Sequence, residues 1–215
     1  MAVLVIEDLC VEIAMRHRPP VRVLDGVCLR LEAGSTLGLV GASGSGKSIT
    51  ALSVLGLLPA PAARIVSGSI RLDGEELVGA ASERLRRLRG GEIAMVFQDP
   101  MTSLDPVFTI GDQIAEAILL HRPMPRREAW RLAVETLGRV GIADPSSRAR
   151  AYPHQLSGGM RQRVMIAMAI ACRPRVLVAD EPTTALDVTT AAGIFDLLDD
   201  IRHEFGLSIL LVSHD

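Results

Sequence analysis

An apolar run, Thr36 to Val40, leads straight into Gly41-Ala42-Ser43-Gly44-Ser45-Gly46-Lys47-Ser48, and a helix-forming stretch follows. The spacing is GxxxxGK[ST]. In a strand–loop–helix context it commits the chain to an α/β core that wraps its backbone around an anion. The glycines allow several N–H groups to turn toward one point. The helix beyond, with Ile49 in its first turn, adds the positive end of its dipole. Lys47 supplies a point charge for β- and γ-phosphates, and the Ser48 hydroxyl is a ligand for Mg²⁺. The alternative is a glycine-rich turn with an exposed lysine. Against it, Lys47 is the single lysine in a chain with 23 lysines and arginines, so chance places it here about once in 23. Lysine and arginine are not interchangeable at a phosphate.

Length and composition narrow the class further. At 215 residues, with 48% hydrophobic and 22% charged residues, the chain can bury a substantial core as one large or two small domains. A net charge of −2 offers no basic field for nucleic acid and no polybasic membrane anchor. Apolar runs such as Val164 to Cys172 fall far short of the roughly 20 residues of a membrane span. Glu7 and Asp8 interrupt the first apolar stretch, which excludes a secretory signal there. Cys10, Cys28 and Cys172 are scattered without a CxxC pair, so neither a disulfide framework nor a zinc site is indicated.

Apolar β-branched runs predict strands at 3–13, 21–31, 36–40, 69–72, 93–97, 176–179 and 208–212. Helical patterns fall at 47–57, 82–89, 111–120, 126–140, 158–172 and 189–205. The middle of the chain is helix-rich and punctuated by Pro100, Pro106, Pro123, Pro125, Pro145 and Pro153. We therefore expect an α/β core, 1–98 and 164–215, interrupted by a helical subdomain, 99–163. The run 208–212 reads as a buried strand with only Ser213, His214 and Asp215 after it, so the C-terminus is read as truncated.

A second chemical feature is the apolar strand Val176 to Ala179 that ends in Asp180-Glu181. Ligands in open α/β sheets sit at the carboxyl ends of strands. Asp180 is placed to orient Mg²⁺, and Glu181 to accept a proton from water attacking a γ-phosphate. Alone, such a pair reads better as a solvated turn. Beside the loop around Lys47 it reads as a site.

Further motifs carry a family resemblance. Leu156-Ser157-Gly158-Gly159-Met160-Arg161-Gln162 resembles the signature motif of ABC ATPases, upstream of the Asp180-Glu181 strand as in that family. Gln98 resembles the Q-loop glutamine, Ala185-Leu186-Asp187 the D-loop, and His214 the switch histidine. The resemblance implies a P-loop NTPase core with a mixed sheet, an antiparallel β subdomain and a helical insertion. It implies ATP and Mg²⁺ as ligands, with Ser48, Gln98 and Asp180 at the metal. It also implies two cassettes stacked head to tail, the loop around Lys47 of one and Ser157, Gly158 and Gly159 of the other clamping one ATP. Asp187 would couple the two sites. Glu181, His214, Gln98 and Lys47 would carry hydrolysis.

Met95 to Ile114, Tyr152 to Ala169 and Ala179 to Thr189 are similar to ATP-binding subunits of dipeptide, oligopeptide and nickel importers. That likeness implies transmembrane permease subunits as partners, a solute-binding protein acting through them, and a peripheral position on the cytoplasmic face of the inner membrane. Met101, Leu104, Val107 and Phe108, after Gln98, are the residues expected to meet the permease, unless they pack within the insertion. The sequence departs from the family where adenine is usually stacked on an aromatic ring. No aromatic precedes Phe97, so Arg16, His17, Arg18 or an apolar residue near Val21 is expected to replace it. Asp105 stands where the group commonly has Asn. Two other classes remain open at this level. One is a non-transport ABC ATPase of DNA repair or translation, and the other a P-loop kinase, which would leave Ser157 to Gly159 unexplained.

Overall fold

The structure is a computed structural model that describes residues 1–15, 18–99, 103–184 and 186–214. Two long strands, β1 (Ala2–Met15) and β2 (Arg18–Glu32), pair antiparallel, and β1 also pairs with β4 (Ala63–Leu72), which in turn pairs with the short β5 (Glu75–Glu76). The second sheet is wholly parallel, in the order β3 (Thr36–Val40), β8 (Ser208–Ser213), β7 (Val176–Asp180), β6 (Ile93–Val96). The two modes of pairing thus fall in separate sheets.

Helices α1 (Lys47–Val54), α2 (Ser82–Leu88), α3 (Ile110–His121), α4 (Arg126–Arg139), α5 (Pro145–Arg148), α6 (Gly158–Ile170) and α7 (Val188–Phe205) complete the described elements, with a 3₁₀ turn at Pro153–Gln155. Sequence periodicity places the long elements within a few residues. It misses β5 and α5, which are too short to show a period. It also stops β4 six residues late at its N-terminal end, because the bulged register against β1 breaks the alternation around Ser67 and Gly68. The expected boundary at 163/164 falls inside the unbroken helix α6.

Buried parallel strands need apolar side chains on both faces. In β7 all five residues are buried, and they alternate in destination. Leu177 and Ala179 join a cluster with α3, α4, α6 and α7, while Val176 and Val178 join a cluster with β1, β4 and α1. The parallel sheet is therefore the wall between two apolar cores. Its carboxyl ends bring the residues after β3, β6, β7 and β8 to one rim. Those residues include the phosphate loop, Gln98, Asp180-Glu181 and His214.

Candidate functional site

At this rim the loop 41–46 turns from β3 into α1. Gly46 is the N-cap of α1 with φ +94°, a conformation that L side chains rarely adopt. A Cβ there would stand 2.5 Å from Leu24 Cδ2 and 3.2 Å from the Val23 carbonyl, so β2 presses on the loop from behind. Lys47 is 7% exposed. Its ammonium donates to the Gly41 and Ala42 carbonyls at 2.7 and 2.8 Å and lies 3.5 Å from Ser45 Oγ. The free amine is thus folded onto its own loop, and a phosphate would compete with two carbonyls for it.

Ser48 Oγ donates to Asp180 Oδ1 at 3.2 Å. Asp180 is 7% exposed. Burial pushes its carboxyl above the usual range and the Glu181 charge adds to that, against the Ser48 hydrogen bond and the Lys47 charge. The Glu181 backbone is fixed by its N–H, which donates to the Val212 carbonyl at 2.9 Å, and has φ +47°. Its carboxylate accepts from Gln98 Nε2 at 2.9 Å and Thr184 Oγ1 at 3.0 Å on one oxygen, and pairs with His214 Nδ1 at 3.0 Å on the other. Burial raises this carboxyl, but the His214 and Thr184 hydrogen bonds and the charges of His214 and Lys47 outweigh it, leaving it lowered.

These groups surround a cleft of about 450 Å³ that Ser43, Gly44, Gly46 and Ile49 also line. The structure thus places Lys47, Ser48, Gln98, Glu181 and His214 around one cleft, with Asp180 hydrogen-bonded to Ser48. Val23, an apolar residue two positions from Val21 and so of the kind expected near a base, lines the cleft as well, as does Thr184, which motif reasoning did not name. Thr184 is told from its neighbour Thr183 only by the turn that follows β7. Of the residues expected near a base, Arg18 and Val21 are exposed on β2 and do not line the cleft. Arg16 and His17 lie outside the described residues, as do Met101 and Ala185.

The signature residues build a different cleft, about 650 Å³, that shares no lining residue with the first. Ser157 caps α6, its Oγ accepting from Met160 N at 3.4 Å. Gly158 and Gly159 open the helix, and a Cβ on Gly159 would come within 2.6 Å of Thr190 Cγ2. Asp187 caps α7, accepting from Thr190 N at 2.9 Å and Thr190 Oγ1 at 2.7 Å, which hold its carboxyl below the ordinary range. Arg148 also lines this cleft.

Beyond Gln98, Leu104 is only 3% exposed and packs in the core with the helices, which is the second of the two alternatives expected for it. Val107 and Phe108 are exposed at 70% and 53%. Asp105 Oδ1 accepts from Val107 N at 3.0 Å, a turn that the carbonyl oxygen of Asn would make equally well. Among the described residues, no helix is long and apolar enough to cross a membrane.

The family model described as ABC transporter matches residues 24–184. The oligopeptide transport ATP-binding protein AppD of Bacillus subtilis is 48% identical over 200 residues, 93% of this chain and 61% of its own length. A probable peptide ABC transporter ATP-binding protein of Sinorhizobium fredii, y4tR, is 52% identical over 194 residues, 90% of this chain and 58% of its own length. The chain spans about three fifths of these relatives. Among solved structures, a dimeric post-hydrolysis state of the ATP-binding cassette MJ0796 bound to ADP and Pi superposes with a TM-score of 0.85 at 29% identity, covering 99% of this chain and 88% of that one. The cbiO1 structure from Clostridium perfringens, part of the cbiONQ transporter complex, gives 0.81 at 26% identity, covering 100% and 79%.

Proposed function

The chain belongs to the ABC transporter family, and from that premise we propose that it is the ATP-binding and ATP-hydrolysing cassette of a bacterial importer for peptides, nickel or a similar small solute. The observation that carries this reading is the convergence of Lys47, Ser48, Gln98, Glu181 and His214 on one cleft, with Asp180 hydrogen-bonded to Ser48 behind it and Ser157 to Gly159 on another cleft. A phosphate site without its signature partner in the same cleft calls for a second cassette, identical or paralogous, placed head to tail. Nucleotide then acts as the bond between copies, and hydrolysis releases it.

The residues fit Mg²⁺. Ser48 and Asp180 present oxygen donors that already hydrogen-bond to each other, and the Gln98 side chain lies at the same rim. Bound there, Mg²⁺ would neutralise charge on the β- and γ-phosphates. The Lys47 ammonium leaves the Gly41 and Ala42 carbonyls for the phosphates. Glu181 takes the proton of the attacking water, its carboxylate already ionised and aimed from the end of β7. His214 and Gln98, which hold Glu181 in the free chain, turn to the γ-phosphate and the metal.

The nucleotide core is read as 1–98 with the chain from about 164 onward and the helical part as 99–163, the helix Gly158–Ile170 running unbroken across the second boundary. The permease is the second partner. An apolar groove of about 520 Å³ between Leu55, Leu57, Phe97 and Met168 lies next to the segment after Gln98 and suits an inserted helix of the membrane subunit. A solute-binding protein acts through that permease, and the cassette sits peripherally on the cytoplasmic face. The net charge of −2 and relatives named for peptide transport favour this reading over a repair or translation ATPase.

The test is the mass of Glu181→Gln in solution with and without ATP. A shift from one chain to two on adding MgATP supports the reading. Loss of hydrolysis in Lys47→Ala belongs to the same test, and full activity in that variant overturns it.

A further inference from the structure

Three groups hold the Glu181 carboxylate in the free chain, and they differ in where they come from. Gln98 reaches it from the end of β6 and His214 from the end of β8, across 83 and 33 residues respectively. Thr184 reaches it from the same turn. Its Oγ1 donates to Glu181 Oε2 at 3.0 Å while its N–H donates to the Glu181 carbonyl at 3.2 Å. The turn is anchored in turn by Glu181 N on the Val212 carbonyl. Thr184 lines the same cleft as Glu181, and its hydroxyl is held on the Glu181 carboxylate.

The reading above reassigns Gln98 and His214 once nucleotide arrives. Thr184 is then the one remaining side-chain donor to the carboxylate among these three. Without it, the Glu181 side chain, which leaves a backbone at φ +47°, is free to rotate about its own bonds. A misplaced general base loses rate without losing affinity.

We propose that Thr184 is a positioning residue for hydrolysis, holding the Glu181 carboxylate toward the attacking water through its hydroxyl. The inference rests on the proposed role of Glu181 as base. It requires the hydroxyl and not the bulk of the side chain, because Val has nearly the shape of Thr and lacks the donor. The charged and titratable groups facing Glu181, namely Lys47, Asp180 and His214, are untouched by the change.

The experiment compares the steady-state ATP hydrolysis of the chain with that of Thr184→Val, Thr184→Ser and Lys47→Ala. Thr184→Val is expected to lower kcat roughly tenfold or more, with KM for ATP within about twofold of the parent. Thr184→Ser is expected to restore most of that loss. An unchanged kcat in Thr184→Val overturns the proposal. So does a Ser variant as slow as the Val variant, which would assign the effect to the lost methyl, or a raised KM with kcat intact, which would assign it to nucleotide contact. Lys47→Ala separates the levels. If it hydrolyses like the parent, the reading of the cleft falls and the Thr184 proposal with it. If it is inactive and Thr184→Val is normal, only the Thr184 proposal falls. ATP-driven dimerisation of Thr184→Val at parental nucleotide concentration confirms that the variant folds and binds.

Discussion

Ser48 Oγ and Asp180 Oδ1 stand 3.2 Å apart although 132 residues separate them in the chain. The contact exists because β3 and β7 both pair with β8 in parallel register, which brings the ends of both strands to one level. The two proposed Mg²⁺ ligands, one in the first turn of α1 and one at the end of β7, therefore meet through three strands of main-chain hydrogen bonds. Ser48→Ala should weaken Mg²⁺ binding, raising the Mg²⁺ needed for half-maximal rate roughly tenfold while leaving thermal stability within about 0.5 kcal/mol. A Mg²⁺ titration of rate against a melting curve checks both.

Gly46 has no room for a side chain. Gly46→Ala sets a Cβ 2.5 Å from Leu24 Cδ2 in a backbone conformation that is strained for alanine. The expected cost is about 1–3 kcal/mol of stability, with loss of nucleotide binding. Gly44, also at positive φ, has nothing within 4 Å of its Cβ position. Gly44→Ala should cost less, and denaturant melts of the pair give the comparison.

Base selectivity should be weak. Among the described residues the cleft is lined by no Phe, Tyr or Trp, and away from the loop and the residues around Glu181 its wall is the aliphatic Val23. A site reads a base through hydrogen bonds that the wrong base leaves unpaired, and stacking on a ring adds roughly 1–3 kcal/mol per base. GTP should be hydrolysed within about tenfold of ATP, and Val23→Tyr should tighten ATP binding by about a tenfold factor or more. A parent chain with strong preference for ATP would assign base contact to groups outside the described residues, and His17→Ala would locate it.

Acid sensitivity has a named contributor in α3. The Asp112 carboxyl is held below its ordinary value by the Thr109 hydroxyl and then by Arg126, with burial opposing. A carboxyl whose native value is depressed adds stability that is present above its unfolded value, near 3.9, and is lost as pH falls through the native one. Asp112→Asn should therefore melt lower than the parent at pH 6. The gap should close below about pH 4, which a series of melts at falling pH would trace.

Ser157 should separate stability from assembly. Its hydroxyl caps α6, so Ser157→Ala is expected to cost about 1 kcal/mol. In the Glu181→Gln background the same change should also abolish the ATP-dependent dimer, a larger effect than a cap alone explains. Ser157→Asp is the control, since aspartate caps well but repels phosphate.

What could be read before the fold was known follows from how each residue acts. Lys47, Ser48, Asp180 and Glu181 act through spacing along the chain or at the end of one strand, and spacing is written in the sequence. Thr184 lies in a turn, whose place becomes specific only once neighbouring strands are set, and the apolar residue expected near Val21 is narrowed to Val23 only by the strand face that lines the cleft. Leu104 stays open between two readings for a related reason. An apolar residue in a proline-punctuated loop carries no sign of whether it faces out or in, and here it turns into the helical core. β6, β7 and β8 were legible because strands buried on both faces must be apolar nearly throughout. The bulged part of β4 was not, because its side chains follow no single period.

That double burial also makes β7 a strand with two addresses. Val178 and Ala179 are consecutive, yet one touches the side of the sheet that carries α1 and the other the side that carries α3 and α6. Trimming Val178 should loosen the seat of the phosphate helix and register first in nucleotide affinity. Enlarging Ala179 should push against the helices that present the signature cap and register first in assembly. Neighbours on one strand thereby become independent dials, one for how firmly a single copy grips its ligand and one for how well it offers itself to another.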